Sequence, residues 1–192
     1  HVYGYYKRGW CYELMRDDDN AMKDYNAGID IDKTYPYIYL MRGELRLKRG
    51  DKKGATLDFE EILRQDTTIN GGSCRHYALH FLGRDTEAIE WMDKIIANDP
   101  EDNGNYYDQA CLYSRMGRKH EAVLALRTAF EKGYRSFAHI EADDDLDAIR
   151  GLPEFTGLIE EYKGNLLYVK TDHKSTSDTI KTVSEVQMKR LS

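Results

Sequence analysis

Residues 5–25 read YYKRGWCYELMRDDDNAMKDY, and residues 39–59 return to the same arrangement of small and bulky residues as YLMRGELRLKRGDKKGATLDF. Three columns made up mostly of glycine and alanine share one period along the chain, with steps of 34, 33 and 34 positions. The columns consist of Gly9, Gly43, His76 and Ala110, of Arg16, Gly50, Gly83 and Gly117, and of Ala21, Ala55, Ala88 and Ala122. Self-similarity at this period predicts a stack of units that share one supersecondary motif.

Each unit has the pattern of two helices joined by a short turn. In the third unit, Ala88, Met92 and Ile95 fall on one face of a helix at 3.6 residues per turn. A polar turn separates this stripe from the stripe before it, and Gly83 in that turn allows the left-handed backbone that ends a helix. We therefore predict helix–turn–helix units whose small residues let the two helices approach closely.

The motifs of the first two units carry a family resemblance. Residues 5–12 match Y-x₂-R-G-x₂-Y, and residues 21–25 match A-x₃-Y. The second unit repeats these motifs as Y-x₂-R-G at 39–43 and A-x₃-F at 55–59. They resemble the tetratricopeptide repeat (TPR), whose pattern is W-x₂-L-G-x₂-Y…A-x₃-F…P. The resemblance implies an all-α, right-handed helix-turn-helix solenoid over residues 1–134, with four repeats at 2–35, 36–68, 69–102 and 103–134.

The third repeat departs from the family pattern. Gly71 and Gly72 stand where the family has its large aromatic residue, and His76 stands where a small residue is expected. We therefore predict that the first helix of this repeat starts late, with Ser73 as its N-cap. This repeat is expected to be less stable than its neighbours.

The period ends after residue 134. Residues 135–163 resemble the helical cap that closes such arrays, and a cap covers the apolar flank that the last repeat would otherwise expose. Residues 164–192 are rich in Lys, Ser and Thr after Val169, so we predict a linker or tail there. Within this segment, residues 166–169 are compatible with a short strand.

Composition and charge argue against several classes of protein. Acidic residues outnumber basic ones by 34 to 28 among 192 residues, and this net charge of −6 disfavours binding to nucleic acid. No apolar run approaches the roughly 18 residues of a transmembrane helix, so no membrane span is expected.

Cys11, Cys74 and Cys111 are far apart, and free thiols favour a cytoplasmic location while a periplasmic or secreted one stays open. Because the chain begins with His1 and not with Met, we expect a segment upstream of it.

Motifs for catalysis or metal binding are missing or incomplete. The sequence has no G-x-S-x-G motif and no Gly-rich phosphate loop. Cys74, His76 and His80 are the best candidates for metal ligands, because the two histidines have the spacing of ligands on one helix face. However, Tyr77 replaces the catalytic Glu of H-E-x-x-H, and no fourth ligand is evident. We therefore predict no catalytic residue, no metal site and no cofactor.

The resemblance places any binding site on the first helix of each repeat, since these helices line the concave face in the family. Tyr is abundant, with 15 residues, and it offers a large contact area with one polar tip. The residues expected to form a partner-binding groove are Tyr3, Tyr6, Trp10, Glu13, Tyr37, Leu40, Glu44, Tyr77, His80, Tyr107 and Arg115.

The predicted function is a non-catalytic scaffold that binds a peptide or partner protein in this aromatic-lined groove. The groove has no basic cluster, so it is not expected to clamp the C-terminal carboxylate of a chaperone, and an apolar or basic ligand suits it better. The first alternative is a regulatory or docking domain of a larger enzyme, such as an aspartic protease or a kinase-like protein. Two others are a metal-dependent hydrolase that uses His76 and His80, and self-association through the N-terminal helix.

Overall fold

The computed structural model describes the backbone of residues 1–172 and the side chains of residues 1–164. Within that part of the chain, every regular element is helical, which confirms the predicted all-α repeat fold. The helices are α1 (Val2–Leu14), α2 (Asp18–Ile31), α3 (Pro36–Lys48), α4 (Lys52–Gln65), α5 (Arg75–Phe81), α6 (Asp85–Asn98), α7 (Asn103–Arg115), α8 (Lys119–Glu131), α9 (Phe137–Ala142), α10 (Asp147–Arg150) and α11 (Pro153–Asp172), with a 3₁₀ turn at Asp144–Leu146 between α9 and α10.

The first eight helices form four contacting pairs, and consecutive pairs pack against each other. The small residues of the repeat make this packing close. A Cβ atom on Gly43 of α3 would lie 2.5 Å from Cε1 of Phe59 on α4, so only glycine fits against that ring. Gly9 and Tyr25 repeat this contact one period earlier.

The turns between paired helices use the left-handed backbone. Gly50, Gly83 and Gly117 have φ angles of +83°, +73° and +72°, and Arg16 takes the same conformation in the first repeat with φ of +59°. A left-handed residue after each first helix turns the chain back, so the second helix can pack on the first.

Ion pairs to a buried carboxylate recur at equivalent positions of the first two repeats. Arg8 Nε lies 2.6 Å from Asp24 Oδ2, and one period later Arg42 Nη2 lies 2.6 Å from Asp58 Oδ1. The third repeat replaces the acid with an aromatic ring, since the Arg75 guanidinium lies 4.9 Å from the ring centre of Trp91. An Arg on the first helix therefore contacts the second helix in three successive repeats.

The third repeat is the irregular one. Its first helix, α5, has seven residues and starts late, as Gly71 and Gly72 predict. Its N-cap is Cys74, so the prediction of Ser73 is wrong by one residue. The cause is Asp66, whose Oδ2 accepts the backbone N–H groups of Cys74 at 2.7 Å and Arg75 at 2.9 Å as well as the Ser73 hydroxyl at 2.9 Å. A carboxylate from outside the helix thus replaces the side chain of an N-cap residue.

The described residues divide into two compact units, of which the first covers residues 1–151 and the second begins at residue 152. In the first unit, the 3₁₀ turn packs on α7, and α10 packs on α7 and α8, with Leu146 and Ile149 fully buried. The second unit contains α11, which starts at Pro153 and continues past the tail boundary predicted at residue 163. Residues 166–169 are therefore helical, and the strand prediction is wrong. Residues 173–192 of the predicted tail lie outside the described residues.

None of the helices among the described residues is both long and apolar enough to span a membrane.

Candidate functional site

The first helices of the four repeats line a common cavity of about 580 Å³ within the first unit. The segment that follows the fourth repeat, at residues 139–145, adds to this lining. The predicted groove residues that line it are Tyr6, Trp10, Glu13, Tyr37, Leu40, Glu44, Tyr77, Tyr107 and Arg115. Because these residues come from all four repeats, the cavity exists only once the repeats are stacked.

An aromatic cluster surrounds Tyr6 on α1. The centre of its ring lies 5.6 Å from that of Tyr35, edge-on, and 6.3 Å from that of Tyr37. Burial raises the pKa of Tyr6 to about 12 and raises that of Tyr37 further, so both hydroxyls stay neutral at physiological pH. The Nζ of Lys7 lies 5.1 Å from the ring centre of Trp10 and 5.3 Å from that of Tyr6, within the range of a cation–π contact.

Arg115 on α7 lies between two carboxylates of the cavity. Its Nη2 donates to Glu44 Oε2 at 2.9 Å, and its Nε donates to Asp145 Oδ1 at 2.7 Å. Its guanidinium carbon lies 5.5 Å from the ring centre of Tyr77 and 5.1 Å from that of Phe81. The cavity therefore holds this guanidinium both by charge and by aromatic faces, two modes that suit its planar, weakly hydrated group.

Carboxylates gather where α7 contacts the 3₁₀ turn. The Tyr107 hydroxyl donates to Asp143 Oδ2 at 2.6 Å, and Asp143 Oδ1 accepts the backbone N–H of Asp145 at 3.0 Å. Desolvation, followed by the negative charges of Asp145, Asp102 and Asp143, raises the pKa of Asp108 to about 7. The Asp108 carboxylate thus lies near other acids in a poorly solvated part of the cavity.

Two glutamates extend this acidic character along the lining. Desolvation raises the pKa of Glu44 to about 7, although the charge of Arg115 lowers it. Desolvation also raises the pKa of Glu13, although the hydrogen bond that its carboxylate accepts from the Tyr25 hydroxyl lowers it. The cavity therefore carries negative charge, part of which titrates near neutral pH.

The family model of the tetratricopeptide repeat matches residues 2–35 and 104–131, at the first and the fourth helix pairs. The chain contains tetratricopeptide repeats. The helix pairs α3/α4 and α5/α6 lie between the matched ones and share their sequence period.

Known proteins match different shares of this chain. A chloroplastic protein of Arabidopsis thaliana is 29% identical over 83 residues, which are 42% of this chain and 25% of that protein. "Protein CTR9 homolog" of the same plant is 26% identical over 170 residues, which are 84% of this chain and 15% of that protein. The chain thus spans a quarter or less of either relative. The crystal structure of TTC0263, a thermophilic TPR protein in Thermus thermophilus, is 14% identical with a TM-score of 0.49, covering 87% of this chain and 100% of that one.

Two of the predicted groove residues are not part of the cavity lining. Tyr3 is half exposed on α1, and its ring centre lies 6.0 Å from that of Tyr6. His80 lies at the end of α5, where its Nδ1 is 2.7 Å from Asp85 Oδ1. Tyr3 therefore extends the aromatic cluster outward, whereas the contact of His80 is with the start of α6.

His76 and His80 do not form a shared open site. His76 is fully buried, and among the described residues neither of its ring nitrogens has a hydrogen-bond partner. Burial, followed by the charge of Arg115, lowers the pKa of His76 to about 3. A hydrolytic metal needs an open position for water, and the burial of His76 does not provide one.

Cys111, Asp143 and Asp145 offer ligand atoms within 4.8 Å of one another. Their chemistry fits a metal ion poorly, because Asp143 Oδ2 already accepts from Tyr107 and Asp145 Oδ1 from Arg115. Burial also raises the pKa of the Cys111 thiol well above its usual range, and metals bind the thiolate form.

Several residues of the lining were not predicted, although the TPR period contained a signal for some of them. Asp108 occupies in the fourth repeat the position that Lys7 and Met41 occupy in the first and second, and all three line the cavity. The acidic run at 143–145 lies after the last repeat, where no period applies, so its place beside α7 had no sequence signal.

Proposed function

We propose that this chain is a protein-interaction module whose cavity binds an extended segment or a helix of a partner protein. The observation that carries the proposal is the cavity itself, which is concave, about 580 Å³ in volume and lined by aromatic side chains from several repeats. A volume of this size suits a few side chains of a bound peptide.

The aromatic cluster is the part of the cavity suited to anchoring such a segment. Trp10 is 40% exposed although it lies on the same helix face as the half-buried Tyr6, so their rings offer apolar area to a ligand. Tyr and Trp lose little side-chain entropy on binding, and they are enriched among the residues that dominate binding energy.

The first test replaces this cluster. Peptides selected from a random dodecapeptide phage library against the full chain would be measured by fluorescence anisotropy against a variant with Tyr6→Ala and Trp10→Ala. We expect at least about tenfold weaker binding, because two aromatic anchors are removed, with unchanged helicity in circular dichroism.

The matched control is Leu57→Ala, since Leu57 is a large side chain, 65% exposed on α4 and outside the cavity lining. It should bind the peptides as the wild type does. Wild-type affinity of the double variant would contradict the proposal, and loss of its helicity would show that the two rings are part of the core.

The alternative of a regulatory or docking domain within a larger enzyme stays a prediction. It would be tested by the size of the native protein in its source cells on an immunoblot, where a band much larger than 22.3 kDa would support it. Self-association also stays a prediction, and light scattering of the purified chain measures it directly.

A further inference from the structure

The charges of the cavity lining are unbalanced. The acidic residues in it are Glu13, Glu44, Asp108, Asp143, Asp144 and Asp145, and the Lys and Arg residues are Lys7, Lys48 and Arg115. A concave site with this excess of carboxylates produces a negative potential that its low-dielectric walls focus.

Each of the three cations of the lining already has an intramolecular contact. Lys48 Nζ lies 2.8 Å from Asp18, which is outside the lining, and Lys7 lies over the rings of the aromatic cluster. Arg115 pairs with Glu44 and Asp145. His139, which also lines the cavity, has its Nε2 3.5 Å from Asp143 Oδ2. None of these basic groups is paired with Asp108, which is left to attract a cation from outside the chain.

Asp108 lines the cavity, and its carboxylate makes no hydrogen bond or ion pair with a described residue. The three neighbouring charges that act on it most are those of Asp145, Asp102 and Asp143, all acidic, and it lies in a desolvated part of the cavity wall. In such a place, a cationic ligand stabilises the ionised carboxylate more than water does.

The binding mode of Arg115 shows which cation the cavity accommodates. Its guanidinium lies between two carboxylates and against two aromatic rings, and the same two kinds of group, carboxylates and rings, line the rest of the cavity. Guanidinium and ammonium groups gain from carboxylates and aromatic faces alike.

From this charge complementarity we infer that the partner segment is basic, and that one of its arginine or lysine side chains binds at Asp108 in the cavity. The inference rests on the proposed function and names the chemistry of the ligand. The acidic cavity attracts such a segment, the aromatic cluster packs on its side-chain stems, and Asp108 receives its charge.

The test uses the peptides selected on the full chain and asks what they contain. We expect enrichment in Arg and Lys, and binding that weakens with added salt. Replacing one Arg of a selected peptide by citrulline, which keeps its shape and removes its charge, should weaken binding about tenfold, as expected for loss of a charged hydrogen-bonded pair.

The Asp108→Asn variant should weaken binding of the Arg peptide by a similar factor and leave the matching citrulline peptide nearly unaffected. Such coupling places that Arg at Asp108. Glu90→Gln, on an exposed part of α6 outside the lining, is the control and should bind both peptides as the wild type does. Circular dichroism checks folding, and Asp144→Asn, at an exposed carboxylate of the lining, serves as a second variant with a smaller expected loss.

Two results would overturn the inference. Selected peptides that are neutral or acidic, yet lose affinity in the Tyr6→Ala, Trp10→Ala variant, would refute the basic partner while leaving the proposed function intact. Basic peptides that bind Asp108→Asn as tightly as wild type would refute the assigned position. Peptides indifferent to the double variant would instead refute the proposed function.

Discussion

Arg16 occupies in the first repeat the position that glycine holds in the next three. Its φ of +59° lies in the left-handed region, which costs a residue with a Cβ atom about 1 kcal/mol or more relative to glycine. No contact of Arg16 with the described residues explains why arginine stands at this left-handed position.

The substitution Arg16→Gly should therefore stabilise the protein by about 1 kcal/mol, offset in part by the greater freedom of glycine in the unfolded chain. Equilibrium unfolding in urea measures the change. The reverse substitution at the equivalent position, Gly117→Ala, should destabilise by a similar amount. A variant Arg16→Gly with lower stability than the wild type would show that the arginine side chain contributes an interaction of its own.

His76 is a second residue whose side chain does not suit its position in the repeat. Its imidazole stands in the repeat column of small residues, fully buried and without hydrogen-bond partners among the described residues. Unsatisfied buried polar atoms cost about 1–3 kcal/mol, so an apolar side chain of similar volume suits the site better.

We predict that His76→Leu stabilises the protein, and more so in acid. The pKa of His76 is lowered from 6.5 to about 3, so below pH 6.5 the unfolded chain takes up a proton that the folded chain does not. The contribution of His76 should therefore lower the free energy of unfolding by about 1.4 kcal/mol for each unit that the pH decreases. The His76→Leu variant lacks this contribution. Urea titrations at pH 7.5 and pH 5 compare the two proteins.

His120→Gln, on an exposed part of α8, is the control and should leave the pH profile unchanged. The raised pKa values of Glu44 and Asp108 act in the opposite direction, since they favour folding increasingly as pH falls from about 7 to about 4. Both proteins share this contribution, so the difference between them isolates His76. An identical pH slope in wild type and His76→Leu would contradict the prediction.

At the scale of elements, the period of the sequence was enough to predict the helix pairs. In the first two repeats a glycine of the first helix packs against a bulky residue of the second, as Gly43 against Phe59, and this pairing is local in the chain. The position of Asp66 was not predictable in the same way, because its role depends on how the loop after α4 folds back onto α5. The acidic 3₁₀ turn beside α7 was also missed, since helix capping explains such a run equally well in sequence.

The start of α5 depends on Asp66, which is buried and accepts three hydrogen bonds from residues 73–75. Asp66→Ala should destabilise the protein by about 2–3 kcal/mol, because it leaves buried donors unsatisfied. Hydrogen exchange should show the loss of protection first in α5.

Asp99→Ala tests the same repeat position one period later. Asp99 is exposed, and its carboxylate accepts a single bond from Glu101 N at 3.3 Å, so the cost should stay below about 1 kcal/mol. Equal destabilisation by the two variants would contradict the role assigned to Asp66.

At the scale of the whole molecule, the stability of each repeat should depend on the repeats beside it. Ala88, in the first turn of α6, is completely buried, and α5 and α6 contact elements of the repeats on both sides. In an array of this type, the free energy of unfolding is the sum of intrinsic repeat terms and interface terms.

The substitution Ala88→Asp should therefore unfold more than its own repeat. A buried carboxylate without a partner costs several kcal/mol, roughly 4 or more. Hydrogen exchange should show protection lost in α3, α4, α7 and α8 as well as in α5 and α6. Thr86→Asp, exposed at the start of the same helix, should leave exchange unchanged. Loss of protection confined to α5 and α6 would contradict coupling between repeats.

The ion pair between Glu44 and Arg115 has a consequence for the order of folding. Most contacts of a repeat array join sequence neighbours and can form early, but this pair closes a loop between residues 71 positions apart. It can form only after α3 and α7 have been brought together by the repeats between them. A pair of fluorophores near these two positions would therefore report the final closure of the array, in a kinetic phase later than the one in which the helices themselves appear.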